Sequence, residues 1–213
     1  MISKYKHIIW DWNGTLFNDV GLCVSIVNRL LINRNLPALS IEKYKEIFTF
    51  PVKNYYVTAG FDFDKESFEV VGREWMDEYE GRKHECRLSD FALQLLEKIS
   101  SLNIEQSILS AYSQHTLVEV VEHFGLTKHF SHLVGLDNIY ASSKVHLGKE
   151  LIKKLGLKKS EALLIGDTSH DYDVAKEIGA DCILLASGHQ NRKNLERCGV
   201  PVYDSMKEIL EKK

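Results

Sequence analysis

Short apolar runs alternate with helix-like segments along most of this 213-residue chain. The runs are nearly continuous, as expected for strands that are buried on both faces of a sheet. They predict strands at residues 7–10, 106–109, 132–134, 162–165, 182–185 and 200–203. The segments between them predict helices at residues 90–102, 116–124, 147–155, 172–178 and 205–211. This order predicts an α/β fold in which a doubly wound parallel sheet is covered by helices on both faces.

The stretch from residue 18 to residue 84 breaks this alternation. Its first part, residues 20–33, has the apolar stripe of an amphipathic helix, and further helices are predicted at residues 41–48, 52–59 and 65–79. No buried strand is predicted between Leu16 and Leu88. We therefore expect a core domain formed by residues 1–17 and 85–213, and a small α-helical cap domain inserted at residues 18–84.

The composition excludes several classes of partner. A hydrophobic content of 44% and a charged content of 27% are ordinary for a globular protein. The formal net charge of −3 gives no electrostatic reason to bind nucleic acid or an acidic membrane surface. The four cysteines are scattered and lack zinc-site spacing, and no apolar run reaches the length of a membrane span. We expect a cytoplasmic protein without nucleic-acid or membrane partners, and the sequence leaves its oligomeric state open.

The first predicted strand ends in a carboxylate. Residues 8–16 read Ile-Ile-Trp-Asp-Trp-Asn-Gly-Thr-Leu, so Asp11 follows the apolar run and the chain then turns through Asn13 and Gly14. In parallel α/β sheets, ligands bind outside the carboxyl ends of the strands. Taken alone, Asp11 suits a simple turn about as well as a functional role, because Asp is a favoured turn residue.

Three further segments place polar side chains near the ends of predicted strands. Ser110 follows the strand at 106–109, Lys144 precedes a predicted helix, and Asp167 and Asp171 lie in Gly-Asp-Thr-Ser-His-Asp at 166–171. A carboxylate nucleophile, a hydroxyl, an ammonium and an acidic pair suit phosphoryl transfer, which depends mainly on positioning and charge stabilisation. Asp11 and Asp167 would hold Mg²⁺, which prefers oxygen ligands.

These residues also have purely structural interpretations. Asp167 and Asp171 suit the N-terminal cap and first turn of a helix, where acidic residues are favoured. Lys144 competes for a phosphate role with the lysines at 149, 153 and 154, and Ser110 competes with the serines at 107 and 113. The combined pattern of four segments favours the functional interpretation.

The four segments together resemble the four motifs of the haloacid dehalogenase superfamily. The resemblance extends over essentially the whole chain, and the predicted cap is similar to that of the phosphoglycolate phosphatase-like branch. It implies that Asp11 accepts the phosphoryl group and that Ser110 and Lys144 stabilise it. The implied substrate is a small phosphorylated metabolite, with phosphoglycolate first and pyrophosphate or a sugar phosphate next.

The resemblance also implies a Mg²⁺ site. Its ligands would be Asp11, the backbone carbonyl of Asn13, and Asp167, while Asp171 would act through water or by orienting Lys144. The segment Phe-Pro-Val-Lys at 50–53 is similar to a substrate loop of related enzymes, although an ordinary turn between two helices explains it equally well.

Asn13 departs from the first motif, where a second Asp normally protonates the leaving alcohol and then activates water. An amide does not transfer protons in this range, and loss of a general acid–base group costs about 10²–10⁴-fold in rate. Hydrolysis is then slow, or His115, His146 or His170 supplies the proton, or Asn13 deamidates to Asp before Gly14. The rival interpretation is a catalytically weakened phosphometabolite-binding or regulatory protein.

Overall fold

The computed structural model describes residues 2–136 and 144–212. In chain order its strands and helices are β1 (His7–Trp10), β2 (Phe17–Asn18), α1 (Val20–Asn33), α2 (Ile41–Ile47), α3 (Val52–Ala59), α4 (Phe68–Arg82), β3 (Arg87–Leu88), α5 (Ala92–Ser101), β4 (Glu105–Ser113), α6 (Gln114–His123), β5 (His132–Leu136), α7 (Val145–Leu155), β6 (Ala162–Gly166), α8 (Ser169–Ile178), β7 (Asp181–Leu185), α9 (Arg192–Glu196), β8 (Val202–Tyr203) and α10 (Met206–Glu211).

A six-stranded parallel sheet forms the centre of the molecule, with strand order β5-β4-β1-β6-β7-β8. Trp10 at the end of β1 pairs with Ile108 of β4 and Ile165 of β6, so β1 lies between these two strands and ends beside β6, while β4 continues to Ser113. Ile8 and Ile9 of β1 belong to two separate hydrophobic clusters, because successive side chains point to opposite faces. The predicted doubly wound α/β fold is confirmed.

Helices α1 to α4 form the predicted helical insertion, and α1 packs against α4. Helices α1 and α3 occupy the predicted residues, whereas α4 begins and ends three residues later than expected. The shift has a local cause, since the Ser67 hydroxyl accepts a hydrogen bond from the Val70 amide and fixes the helix start there. The predicted domain boundaries, with the cap at residues 18–84, stay a prediction.

Between Leu16 and Leu88 the sequence predicts no buried strand, but the structure has two short, partly exposed strands that begin and end this stretch. Strand β2 pairs antiparallel with β3, and Phe17 lies opposite Leu88 in the register. The chain therefore enters and leaves the insertion through one two-stranded ribbon, close after Asp11. Strands of two residues are too short for periodicity to reveal, and the five-residue helix α9 was missed for the same reason.

Candidate active site

Asp11 is the first residue after β1, and its backbone amide still donates to the Ile165 carbonyl of β6 at 2.9 Å. Its side chain is buried and accepts a hydrogen bond from the Lys144 ammonium. Lys144 is only 1% exposed and also pairs with Asp171, at 2.7 Å between Nζ and Oδ1. By contrast, the competing Lys149 pairs with Glu177 at the surface. Lys144 thus joins the residue after β1 to the first turn of helix α8, which follows β6.

Asp171 caps helix α8 as well as contacting Lys144. Its Oδ2 accepts hydrogen bonds from the Thr168 amide at 3.0 Å, the Thr168 hydroxyl at 2.7 Å and the Asp167 amide at 3.2 Å. The Thr168 hydroxyl accepts from the Asp171 amide in return, which completes a capping box. Both carboxylate oxygens of Asp171 are therefore engaged. The residue caps helix α8 and also holds Lys144 in position.

Asp167 lies where two glycine-containing loops converge. Its Oδ1 accepts from the Thr15 hydroxyl at 3.1 Å, and its Oδ2 accepts from the His189 amide at 2.5 Å. A Cβ on Gly14 would lie 2.3 Å from Oδ2, and one on Gly188 would lie 2.1 Å from it. Only glycine allows both backbones to approach this carboxylate so closely.

The residues after β1 and β6 fit a divalent cation. Ligand oxygens of Asp11, Asp167 and Asp171 lie within 4.8 Å of one another, and Lys144 supplies one positive charge against three carboxylates. Burial, together with the charges of the two neighbouring acids, raises the pKa of Asp11 to about 8 in spite of Lys144. Burial likewise raises the pKa of Asp167 to about 6. An ion bound by Asp11 and Asp167 would offset this uncompensated negative charge.

Burial alone would also raise the pKa of Asp171, but the adjacent Lys144 charge and the hydrogen bonds to Lys144 and Thr168 outweigh it and lower that pKa. The carboxylates of Asp11 and Asp171 raise the pKa of Lys144 in spite of its burial, so the ammonium stays charged. The ammonium is therefore a fixed charge aimed at the edge of the sheet beside Asp11.

Ser110 lies on β4, is buried, and accepts a hydrogen bond from the Tyr112 amide at 3.0 Å. The six residues predicted from the sequence line one cavity: Asp11, Asn13, Ser110, Lys144, Asp167 and Asp171. Of the three candidate histidines, His170 also lines this cavity, whereas His115 and His146 are exposed and do not. Phe50 and Val52 from the cap segment line it as well.

Asn13 is held by its side-chain amide. Its Nδ2 donates to Asp19 Oδ2 and to the Tyr79 hydroxyl, each at 2.8 Å. The Tyr79 hydroxyl donates in turn to Asp19 Oδ2 at 2.7 Å, and the Gly14 amide donates to Asp19 Oδ1 at 2.9 Å. Asn13 therefore fixes the geometry of the turn after β1 and carries no titratable proton.

Sequence reasoning missed Asp19 and His189. His189 Nε2 lies 3.2 Å from Asp19 Oδ1, and its Nδ1 lies 2.9 Å from the Tyr44 hydroxyl. Burial would lower the pKa of His189, but the Asp19 charge reverses this and raises it to about 8. Burial opposes ionisation of Asp19 too, yet His189 and the hydrogen bonds from Tyr79 and Asn13 lower its pKa. His189 lies in the loop after β7, at the same edge of the sheet. A search for polar side chains near the ends of predicted strands, which identified Ser110, could therefore have found His189 as well.

Comparison with known proteins agrees with this fold. The model of the family described as haloacid dehalogenase-like hydrolase matches residues 8–185, and the chain belongs to that family. Phosphoglycolate phosphatase of Vibrio parahaemolyticus is 23% identical over 217 residues, which cover 97% of this chain and 95% of that protein. The superfamily resemblance seen in the sequence is thereby confirmed.

Solved structures of low identity share the fold. A haloacid dehalogenase-like family hydrolase from Streptococcus pneumoniae superimposes with a TM-score of 0.81 at 19% identity, over 99% of this chain and 98% of that one. Protein tyrosine kinase A of Mycobacterium tuberculosis gives 0.79 at 22% identity, over 98% and 97%. Within the described residues, no helix combines the length and apolar character needed to span a bilayer.

Proposed function

We propose that this protein is a Mg²⁺-dependent phosphatase of a small phosphorylated metabolite. Phosphoglycolate is the first candidate, since relatives from Vibrio parahaemolyticus and Rhodobacter capsulatus are named phosphoglycolate phosphatase. The observation that carries the proposal is the buried Lys144, which contacts Asp11 and Asp171 and lines one cavity with Ser110 and Asp167. This arrangement presents a nucleophile, a fixed cation and a hydroxyl to one phosphate group.

In the proposed reaction the Asp11 carboxylate attacks phosphorus and the ester bond to the alcohol breaks, which leaves an aspartyl-phosphate. Lys144 and Ser110 stabilise the charge that spreads over the phosphoryl oxygens. Mg²⁺ held by Asp11, Asp167 and the Asn13 carbonyl would screen the repulsion between carboxylate and phosphate. Water then attacks the aspartyl-phosphate, releases phosphate and regenerates Asp11.

Asn13 limits the rate of both steps because its amide neither donates a proton to the alcohol nor removes one from water. We expect turnover about 10²–10⁴-fold below that of a chain with Asp at this position. The same observation favours the second candidate function, a phosphometabolite-binding or regulatory protein that turns over slowly or not at all. The two candidates differ in whether the natural chain releases phosphate.

The test is phosphate release from phosphoglycolate, pyrophosphate and sugar phosphates, with Mg²⁺ and with EDTA. The proteins compared are the natural chain, Asp11→Asn, Asn13→Asp and, as a matched control, Asp173→Asn at an exposed position of α8. Peptide mass verifies that Asn13 has not deamidated. Mg²⁺-dependent release that is lost only in Asp11→Asn supports the phosphatase. Release by Asn13→Asp alone supports the binding protein, and no release by any variant overturns the enzymatic proposal.

A further inference from the structure

The cavity beside Asp11 is mainly aromatic where the helical insertion lines it. Its volume is ≈ 170 Å³, close to the roughly 150 Å³ of an apolar cavity that binds benzene. The aromatic lining includes Tyr44, Phe48, Phe50, Tyr55, Phe68 and Trp75. Such a lining favours an apolar, planar group over a small hydrated one, because aromatic surface is stabilised by leaving water.

Three tyrosine hydroxyls in this lining are already engaged. The Tyr44 hydroxyl bonds with His189, the Tyr79 hydroxyl donates to Asp19, and the Tyr112 hydroxyl donates to Glu80. Besides Lys144, the only lysine or arginine among the described lining residues is Arg73, whose side chain is exposed. The buried Lys144 and His189 also line the cavity but already pair with carboxylates. A carboxylate on the organic part of a substrate would therefore lose its hydration without an unpaired buried cation among the described lining residues to compensate it, which is costly.

Two polar atoms of the lining lack a partner. Trp75 Nε1 and His170 Nε2 are buried and make no hydrogen bond within residues 2–136 and 144–212. Trp75 stacks on Tyr79 with ring centroids 4.8 Å apart, and His170 stacks on Phe50 at 4.7 Å. Both rings are therefore fixed, and an unmade hydrogen bond at a fixed, buried donor is relieved by an acceptor on a bound ligand.

We propose that the substrate is a phosphate monoester of an aromatic alcohol whose ring carries a hydrogen-bond acceptor. The phosphate lies at Asp11, the ring lies against the aromatic lining, and the acceptor receives the Trp75 Nε1–H. This inference rests on the proposed function for the position of the phosphate. It deepens that function by assigning the organic half of the substrate. An aromatic ester then ranks ahead of phosphoglycolate, whose aliphatic carboxylate is a poor match for this lining.

Binding is measured with phosphonates, whose P–C bond is not hydrolysed, by calorimetric titration of the natural chain in Mg²⁺ buffer. The probes are pyridin-4-ylmethylphosphonate, benzylphosphonate and 3-phosphonopropionate, which carry a ring with an acceptor, a plain ring and a carboxylate. We expect the pyridyl probe to bind at least about ten-fold more tightly than 3-phosphonopropionate, with the benzyl probe between them. Equal or tighter binding of 3-phosphonopropionate overturns the inference.

Two variants test the Trp75 donor and the role of the His170 ring. Trp75→Phe retains an aromatic ring but removes the N–H, so the advantage of the pyridyl probe over the benzyl probe should disappear. His170→Gln should weaken both aromatic probes, whereas His129→Gln, which removes a buried partnerless nitrogen outside the cavity, should change neither. A pyridyl advantage that survives in Trp75→Phe overturns the assignment of the acceptor to Trp75.

Phosphate release distinguishes failure of this inference from failure of the proposed function. Benzyl phosphate and phosphoglycolate are suitable esters because both release an alkoxide of an ordinary alcohol. A higher kcat/KM for phosphoglycolate, with weak aromatic binding, overturns the aromatic substrate while the phosphatase stands. Tight binding of the aromatic phosphonates without release from any ester, in the natural chain or in Asn13→Asp, overturns the phosphatase and leaves the ligand class supported.

Discussion

Two polar clusters flank the cavity, and they differ in how their carboxylates are compensated. The lysine cluster consists of Asp11, Lys144, Asp167 and Asp171, and the asparagine cluster consists of Asn13, Asp19, Tyr79 and His189. In the lysine cluster one ammonium pairs with two of the three carboxylates, Asp11 and Asp171, and the pKa values of Asp11 and Asp167 are raised. In the asparagine cluster one carboxylate accepts from an amide, a hydroxyl, a backbone N–H and an imidazole.

The difference indicates what each cluster does. Uncompensated buried charge is unfavourable in the empty protein, so the lysine cluster is suited to receive a cation and a phosphate. A carboxylate that already has several donors gains nothing from a ligand, so the asparagine cluster is suited to hold the turn after β1 in place. Asn at position 13 suits this structural role better than Asp, because its amide donates to Asp19 whereas a carboxylate would repel it.

The largest effect is expected from Lys144→Met. Removing one partner of a buried ion pair leaves Asp11 and Asp171 without compensation, which costs about 3–5 kcal/mol in the free energy of unfolding. Phosphate release should fall by at least about 10²-fold, as on loss of one charge-stabilising group. Urea unfolding and kcat/KM measure the two effects. Lys149→Met, which breaks an exposed pair, is the control and should cost less than about 1 kcal/mol.

Asp19→Asn tests whether the asparagine cluster is structural. It leaves the buried His189 without its anion, and we expect the free energy of unfolding to fall by about 3 kcal/mol. Phosphate release at a temperature where the variant is folded should fall by less than the roughly 10²-fold that accompanies loss of an acid–base group. A larger fall in kcat with unchanged KM would contradict the comparison and assign proton transfer to Asp19 and His189.

The two clusters also differ in how far the sequence predicts them. Asp11 and Asp167 follow buried strands and Ser110 lies near the end of one, so the parallel sheet alone brings them to one edge, and their spacing resembles a known motif set. Asp19 and His189 are 170 residues apart and lie in loops without a motif. Their pairing depends on the turn after β1 and on the loop after β7, whose paths are fixed by tertiary contacts that no local pattern encodes.

The sequence predicted the helices of the cap but not which of their side chains face the cavity. The sequence pattern predicted both α1 and α3, but it did not indicate which face of each helix borders the cavity. Tyr44 illustrates the limit, since its hydroxyl reaches His189 from a helix 145 residues away in the chain. Side chains that meet across the cap and the core follow from their packing, which composition and spacing do not specify.

The third prediction concerns pH. The folded-state pKa of His189 is about 8, above the roughly 6.5 of an unfolded histidine. Its contribution to stability is therefore fully present below about pH 6.5 and is lost as the pH rises through about 8. The difference corresponds to about 2 kcal/mol at 25 °C. Ionisation of Asp11 also lowers stability as the pH rises, because its folded-state pKa is raised as well. The contribution of His189 is therefore obtained by subtracting the pH dependence of a variant that lacks this histidine.

The measurement is urea unfolding at pH 6 and pH 8.5 for the natural chain and His189→Gln, each with Mg²⁺ and with EDTA. The natural chain should lose about 2 kcal/mol more between these pH values than the variant does, in both buffers. Parallel losses in the two proteins would show that folding does not raise the pKa of His189. The asparagine cluster would then have no stabilising ion pair between His189 and Asp19.

The smallest effect is expected from Tyr79→Phe. The change removes a hydroxyl that joins Asn13 to Asp19 but keeps the ring that stacks on Trp75. We expect a loss of about 1.5 kcal/mol in the free energy of unfolding, as for a buried hydrogen bond to a charged group. Tyr112→Phe is the matched control and should cost less, because its acceptor Glu80 is partly exposed and also accepts from Lys83.

A double-mutant cycle with Asn13→Ala sharpens the result. If the asparagine cluster acts as one hydrogen-bonded unit, the two losses are not additive, and a coupling energy of about 1 kcal/mol remains between Tyr79 and Asn13. Additive losses would mean that each residue stabilises Asp19 separately. The Asn13 amide would then be a replaceable contact, and Asn13→Asp could restore an acid–base group without disturbing the turn.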